Sequence, residues 1–458
     1  MKEYDITILG GGPGGYVAAI KAAQAGKSVA LIEKEAIGGV CLNWGCIPTK
    51  ALLKSAKVYE NFKNAKSYGF KVDMDNVEID FKKIMQRKNK AVKKLTSGVG
   101  YLLKKNKVDV YEGEGVAKDA HTVEVNDQTL KTAKLIIATG ASPVVPPIDG
   151  LKEGLEKGYV LTSKGLLDID KIPEKLAIVG GGVIGVEFAA IFNALGSKVT
   201  ILEREDDILF EVDQDIKDQF KKKLKKDKIK VLTGATLKSV GESSLTYEED
   251  GEDKTLDADR VLLSVGMKPN TKGLEALDLE MENGGIKTDN LLRTNIDDVY
   301  AIGDCNGKYL LAHVASKEGL VAVTDILGEK QQPMNYDHMP SGIYTFPEIA
   351  QVGLTEEKAK ARGIDYKTST FPITANGKAL AEGQNIGMVK MIASKPYNEI
   401  IGVHILAEGA TELISESVLG MALEATAADF AHAVHPHPTL SEMVHETAHG
   451  ILDKPIHL

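Results

Sequence analysis

Asp5-Ile6-Thr7-Ile8-Leu9-Gly10-Gly11-Gly12-Pro13-Gly14-Gly15 is the stretch from which the fold can be read. The apolar run Asp5–Gly10 has the make-up of a buried strand. Pro13–Ala25 reads as a helix with proline at an early position, and Ser28–Ile32 as a second strand closed by Glu33. The result is a βαβ unit whose turn holds Gly10, Gly12 and Gly15 in GxGxxG spacing. Glycines there let backbone N–H groups and a helix N-terminus approach a pyrophosphate. An acid at the end of the second strand can accept hydrogen bonds from a ribose. One such match is weak, because glycine turns between strand and helix also serve plain packing. The unit recurs, however, as Lys175–Val179, Val183–Leu195 and Lys198–Leu202, with Gly180, Gly182, Gly185 and the terminal acid Glu203. Two repeats in full βαβ context predict two Rossmann-like dinucleotide-binding modules. Glu203 would repel a 2′-phosphate and so favours NAD over NADP, whereas the adjoining Arg204 could attract one.

At 458 residues the chain exceeds what one core usually supports, so roughly two to four domains are expected. Strands ending in glycine, Lys134–Gly140 and Arg260–Gly266, follow the two modules, and Thr294–Asp304 places Asp304 just beyond another strand. That acid could accept a hydrogen bond from a sugar-alcohol hydroxyl, or cap the helix that follows. Ser142–Pro147 and Gly328–Pro340 read as linkers. Beyond them, Ile343–Phe346, Met388–Ala393 and Ile400–Leu406 are strand-like, while Thr355–Arg362 and Ala410–Ala425 are helical, so a separate α+β domain is expected. The boundaries fall at 1–145, 146–268, 269–337 and 338–458. A net charge of -9 argues against a nucleic-acid binder, which makes the lysine-rich runs Phe81–Lys107 and Lys217–Lys230 solvated helix faces. With no apolar stretch long enough to span a membrane and no signal-peptide pattern, a cytoplasmic protein is expected.

Cys41 and Cys46 flank Leu42-Asn43-Trp44-Gly45 just past the first glycine loop, and the ring they would close is too short to constrain much chain entropy. Their use should be chemical: a redox disulfide, with a thiolate at Cys46 favoured by a helix N-terminus and by Lys50 one turn on. Cys305 should be buried and inert. Six of the ten histidines follow Phe430, among them the run His435-Pro436-His437-Pro438-Thr439-Leu440-Ser441-Glu442. His437 with Glu442 could serve as a base and its orienting carboxylate, or Thr439 and Glu442 could form a helix-capping box. His445-Glu446-Thr447-Ala448-His449 matches a zinc-peptidase pattern, but only nine residues follow and the nucleotide modules would have no purpose there. No metal is expected.

GGVCLNWGCIPTKALL (38–53), GGGVIGVEF (180–188), YAIGDC (300–305) and HPHPTLSE (435–442) together resemble the flavin disulfide oxidoreductases over essentially the whole chain. One departure is Gly266-Met267-Lys268-Pro269-Asn270, where the family commonly has arginine after the glycine. The resemblance implies FAD on Gly10, Gly12, Gly15, Glu33, Lys50, Gly140, Asp304 and Ala312, and NAD on Gly180, Gly182, Gly185, Glu203 and Gly266. It implies Cys46 as the thiol that meets the flavin and Cys41 as the thiol that meets substrate. Glu187, by itself an ordinary helix acid, would pair with Lys50, and His437, oriented by Glu442, would be the base. The implied reaction oxidises a dihydrolipoyl group and reduces NAD, in a homodimer whose C-terminal domain makes the interface and lends His437 to the other subunit. Because the first strand begins four residues from Met1, the lipoyl group should ride on a separate carrier protein, of a 2-oxoacid dehydrogenase or of glycine cleavage. The alternatives are a glutathione-reductase-like enzyme and a non-catalytic flavin-binding redox sensor. Since no cysteine follows Cys305, reductases that need extra C-terminal thiols do not fit.

Overall fold

The structure, a computed structural model, describes residues 2–330 and 332–458. The first unit runs β1 (Lys2–Leu9), α1 (Pro13–Gln24), β2 (Val29–Glu33), α2 (Gly39–Trp44), α3 (Cys46–Asn64), α4 (Phe81–Lys105), β3 (Asp109–Glu112), β4 (Gly115–Asp119), β5 (Thr122–Val125) and β6 (Gln128–Ile137). Strands β3, β2, β1 and β6 lie parallel in that order, with Ile6 opposite Val29 and Lys134. Strands β5 and β4 continue the sheet antiparallel. Helices cover the parallel strands, so Ile6, Ile8 and Leu9 of β1 and the whole of Val29–Ile32 are buried. The expected strand Lys134–Gly140 ends earlier, at Ile137, and Gly140 itself takes a left-handed φ of 70°.

The second unit follows as β7 (Ala141–Pro143), α5 (Leu151–Lys157), β8 (Val160–Leu161), α6 (Ser163–Leu166), β9 (Lys175–Val179), α7 (Val183–Ala194), β10 (Lys198–Leu202), α8 (Gln214–Lys226), β11 (Lys230–Leu232), β12 (Thr236–Val240), β13 (Ser244–Glu249), β14 (Glu252–Asp257), β15 (Arg260–Leu263) and β16 (Met267–Pro269). A parallel sheet in the order β11-β10-β9-β15-β8 repeats the first design, and β12–β14 form a separate antiparallel sheet. The Ser142–Pro147 stretch is not merely a linker: Ala141–Pro143 is strand β7, paired with β16 in a two-stranded ribbon where the chain enters and leaves this unit. Nor are the lysine-rich helices wholly solvated. Lys88 is buried with its ammonium on the Leu167 carbonyl, and Lys217 is buried beside Asp207. In each case the stem fills apolar space while the charge finds an oxygen.

After β17 (Met281–Glu282) and β18 (Gly285–Ile286), strand β19 (Val299–Ala301) returns to the first sheet, parallel to β6. Helix α9 (Ala312–Ile326) then packs on α1, so closely that a Cβ at Gly319 would lie 2.7 Å from the Gly14 carbonyl oxygen. The C-terminal unit contains β20 (Ser341–Ile343), β21 (Glu348–Gly353), α10 (Glu356–Ala361), β22 (Tyr366–Pro372), α11 (Gly377–Ala381), β23 (Met388–Ser394), β24 (Ile400–Ala407), α12 (Ala410–Ala422), α13 (Ala427–His432) and α14 (Glu442–Leu452). Its sheet is antiparallel in the order β20-β21-β24-β23-β22, with α12 against β21 and β24 and α14 against β22 and β23. The expected strand Ile343–Phe346 stops at Ile343, where the Tyr344 N–H leaves the ladder for the Glu187 carboxylate. The α/β class with a C-terminal α+β unit is thus the one observed. Among the described residues no helix is long and apolar enough to cross a membrane.

Candidate active site at the junction of the three units

Gly45 breaks one helix from the next and so places the cysteines. Cys41 lies in α2, and Cys46 is the first residue of α3, whose N-terminus carries no side-chain cap. A Cβ at Gly45 would sit 2.8 Å from the Val40 carbonyl oxygen, so the close turn between the two helices admits only glycine without rearrangement. Both cysteines are free thiols. A hydrogen bond from Cys41 holds Cys46 down at about 7, against desolvation, and the Lys50 ammonium adds to the lowering. The same hydrogen bond and burial push Cys41 up. One thiol is therefore ready to ionise beside a helix N-terminus, while the other keeps its proton. Cys305 is fully buried, and burial pushes its thiol to about 12.

Lys50 Nζ reaches both carboxylate oxygens of Glu187 at 2.9 Å, joining α3 of the first unit to α7 of the second. Glu187 is 5% exposed, and its Oε1 also accepts the Tyr344 N–H at 2.9 Å. A buried pair needs such additional hydrogen bonds to offset its desolvation. Tyr344 is not legible in the sequence, since a backbone N–H donor has no residue signature.

The glycine loops suit phosphates. Helices α4, α8 and α10 are capped by Asp80, Asp213 and Thr355. By contrast α1, α7 and α9, which begin after Gly12, Gly182 and Leu311, have no side-chain cap, so their first N–H groups are left for a ligand. Ala312 is the first residue of α9. Glu33 is held at the end of β2 by the N–H groups of Gly11, Glu35 and Ala36, and Glu203 in the same way by those of Gly181 and Glu205. Arg204 points to Glu205, which takes its guanidinium at 2.6 and 3.1 Å and competes with any 2′-phosphate. Gly140 and Gly266 flank the interunit ribbon, both at positive φ.

Asp304 lies in a 3-10 turn, Gly303–Asn306, and caps no helix. Burial first, and Glu318 second, push its carboxyl up to about 6, opposed by a hydrogen bond from its own backbone N–H. A half-buried acid so poorly satisfied fits a hydroxyl-bearing ligand, which supports FAD at this face. Glu318, which the sequence reading passed over, is fully buried beneath the turn. It accepts from the Gly303 N–H (2.5 Å), Asn306 Nδ2 (3.0 Å) and the Tyr336 hydroxyl (2.6 Å). An acid amid the apolar residues of α9 was its signal in the sequence.

His437 stands on the C-terminal unit, 80% exposed at its side chain, with Nδ1 2.9 Å from Glu442 Oε1. The other Glu442 oxygen accepts the Thr439 N–H at 2.8 Å. Desolvation raises the Glu442 pKa, but these hydrogen bonds outweigh it and hold the carboxyl below its usual range. The alternative capping box is absent, because the Thr439 hydroxyl turns to the Pro436 carbonyl and α14 begins only at Glu442. Among the described residues no hydrogen bond or ion pair joins His437 to either cysteine of its own chain. In the zinc-like pattern, His445 and His449 meet Nε2 to Nε2 at 3.3 Å, whereas Glu446 is engaged with His457 and the Ile456 N–H. Among the described residues no group of three or more His, Cys, Asp or Glu is placed to hold a metal ion.

Two nucleotide modules and a dithiol beside a lysine–glutamate pair define a flavin-dependent dithiol–disulfide oxidoreductase. The chain belongs to the pyridine nucleotide-disulphide oxidoreductase family, whose model matches residues 4–319, and the family's dimerisation domain matches residues 339–448. It takes FAD and NAD. Similar proteins include a dihydrolipoyl dehydrogenase of Acholeplasma laidlawii, 55% identical over 73% of this chain and 99% of that protein. Another, of Bacillus subtilis, is 42% identical over 99% of both. Among solved structures, LpdA of Mycobacterium tuberculosis superposes with a TM-score of 0.89 at 27% identity, over 98% of this chain and 99% of the other. A hypochlorous-acid-induced flavoprotein disulfide reductase, RclA of Escherichia coli, gives 0.86 at 28% identity over 97% and 99%.

Proposed function

We propose that the protein oxidises a dihydrolipoyl group on a separate carrier protein and reduces NAD, acting as a homodimer with two shared sites. The observation that carries this reading is the placement of Cys46 at an uncapped helix start, one turn before the Lys50 that is bound to Glu187. The dihydrolipoyl dehydrogenases among the relatives favour a dihydrolipoyl substrate over the glutathione-like alternative.

In the oxidised enzyme Cys41 and Cys46 share a disulfide. His437 of the partner subunit, its ring set by that subunit's carboxylate, takes the proton from one substrate thiol. The resulting thiolate attacks Cys41 Sγ, the Cys41–Cys46 bond breaks, and its electron pair leaves on Cys46. Cys46 carries that charge beside Lys50 and the α3 N-terminus. The second substrate thiol, deprotonated in turn, attacks the mixed disulfide and expels Cys41, which closes the cyclic lipoyl disulfide. FAD, when bound, supplies the route by which the dithiol's electron pair reaches NAD as hydride. Gly10, Gly12, Gly15, Glu33, Gly140, Asp304 and Ala312 would hold the flavin nucleotide, and Gly180, Gly182, Gly185, Glu203 and Gly266 the NAD.

The exposure of the His437–Glu442 pair, free of contacts with its own chain's thiols, supports the crossed arrangement. Mixing inactive Cys41→Ser and His437→Gln chains under subunit exchange tests it. A mixed dimer has one site with both lesions and one with neither, so about a quarter of wild-type turnover should return at random pairing. Mixed dimers shown by differential tags, with activity still at parental level, would place the whole site within one chain.

A further inference from the structure

Lys50 meets a second partner besides Glu187. Its ammonium stands 4.2 Å from the ring centroid of Tyr344, and two turns along α3 Lys57 stands 5.4 Å from that of Phe346. Both are within the range at which a ring face attracts a cation. Tyr344 thus meets both ends of the ion pair, since its N–H also binds the Glu187 oxygen. Lysine is a point charge on a flexible stem, and the two bonds to Glu187 alone leave its position along the carboxylate free. A second acid could hold the ammonium there, but would cancel its field at the thiol. A ring face fixes the ammonium and leaves the net charge in place.

We propose that Tyr344 is a positioning residue of the redox site, whose ring and N–H keep the Lys50 ammonium where it stabilises the Cys46 thiolate. The site then acquires its full electrostatic character only when the C-terminal unit is seated on α3 and α7. This rests on the reading of Cys41 and Cys46 as the redox pair. The charged and titratable groups that face Cys46 are Cys41, Lys50 and Glu187, with Tyr16 behind Cys41 and, in the proposed dimer, His437 of the partner subunit.

The test uses Cys41→Ser holoenzyme, in which Cys46 is the accessible thiol because Cys305 is buried. The pH midpoint of its alkylation by iodoacetamide reports the Cys46 thiolate, independently of turnover. Adding Tyr344→Met, which keeps the volume without a ring face, should raise that midpoint by about half a unit, or slow alkylation about threefold on the acid side. Tyr344→Leu should do the same, and Tyr344→Phe should leave the midpoint unchanged. Long-wavelength thiolate-to-flavin absorbance should shift in parallel. Unchanged midpoints in both Met and Leu variants overturn the proposal, and an equal shift in Phe transfers the role to the hydroxyl and overturns it too. Should Cys41→Ser alone keep full dihydrolipoamide turnover, the redox reading fails, while the comparison of midpoints still decides the role of Tyr344.

Discussion

Half-buried Asp304 sits above the buried Glu318, so two carboxyl groups share one turn, and the cost has a sign. The folded pKa of Asp304, about 6, lies above the ordinary aspartate value of 3.8. Below the lower value both folded and unfolded chains are protonated, so the shift has no effect. As pH rises from about 4 to 6 the unfolded chain ionises first, and the cofactor-stripped protein loses stability over that window. Asp304→Asn should therefore melt at a higher temperature than wild type above pH 6, the difference closing by pH 4, and yet release FAD more readily. Melting curves of the stripped protein and the FAD dissociation constant read the two effects separately. Equal melting temperatures at pH 7 would remove the electrostatic account. Glu318→Ala should weaken FAD retention without touching the flavin, because the Gly303 N–H, Asn306 and Tyr336 lose their shared acceptor, a loss of ~1–3 kcal/mol for such a buried group.

Between single residues and the whole chain, the break between α2 and α3 governs how the two thiols face each other. Gly45→Ala must push the Val40 carbonyl away, and overpacking of this kind costs ~1–3 kcal/mol. The stronger effect should be on chemistry, since displacement of reacting groups by about 1 Å can cost on the order of a hundredfold. Expected results are full FAD content, a small fall in melting temperature and a drop in kcat of at least about tenfold. Helix α9 makes a parallel case. Gly319→Ala would separate it from α1, and the loss should appear in FAD retention.

At the scale of the molecule, Lys390 ties the second unit to the C-terminal sheet. It is 2% exposed and binds Asp213 (2.9 Å), Asp215 (2.6 Å) and Glu356 (2.7 Å), with Asp213 fully buried at the start of α8. Burial opposes the charge on Lys390, but the three carboxylates outweigh it and hold the ammonium above its ordinary range. Lys390→Met would strand the Asp213 carboxylate and should cost ~3–5 kcal/mol. Calorimetry should then show the melting transition broaden or split as the second and C-terminal units uncouple. A single transition of parental width would show that the units are held together elsewhere.

The glycine spacings, the strand acids Glu33 and Glu203, the cysteine pair and the alternation of strand and helix were all legible in the chain, because each is a local pattern that one element carries. The chain left Glu442 open between His437 and a helix cap, and folding shows it on His437 Nδ1. The ends of Lys134–Gly140 and Ile343–Phe346, the ribbon at Ala141–Pro143 and the buried Lys88 and Lys217 were misjudged. Each depends on which donor, acceptor or apolar surface lies opposite in space. Sequence by itself determined two nucleotide modules, a dithiol and the class of chemistry. Only the tertiary structure decided that Tyr344 joins the Lys50–Glu187 pair, that Glu318 lies under Asp304, and that Lys390 locks the assembly. Their partners lie far apart in the chain, and a buried charge is stable only where folding has supplied its counter-charges.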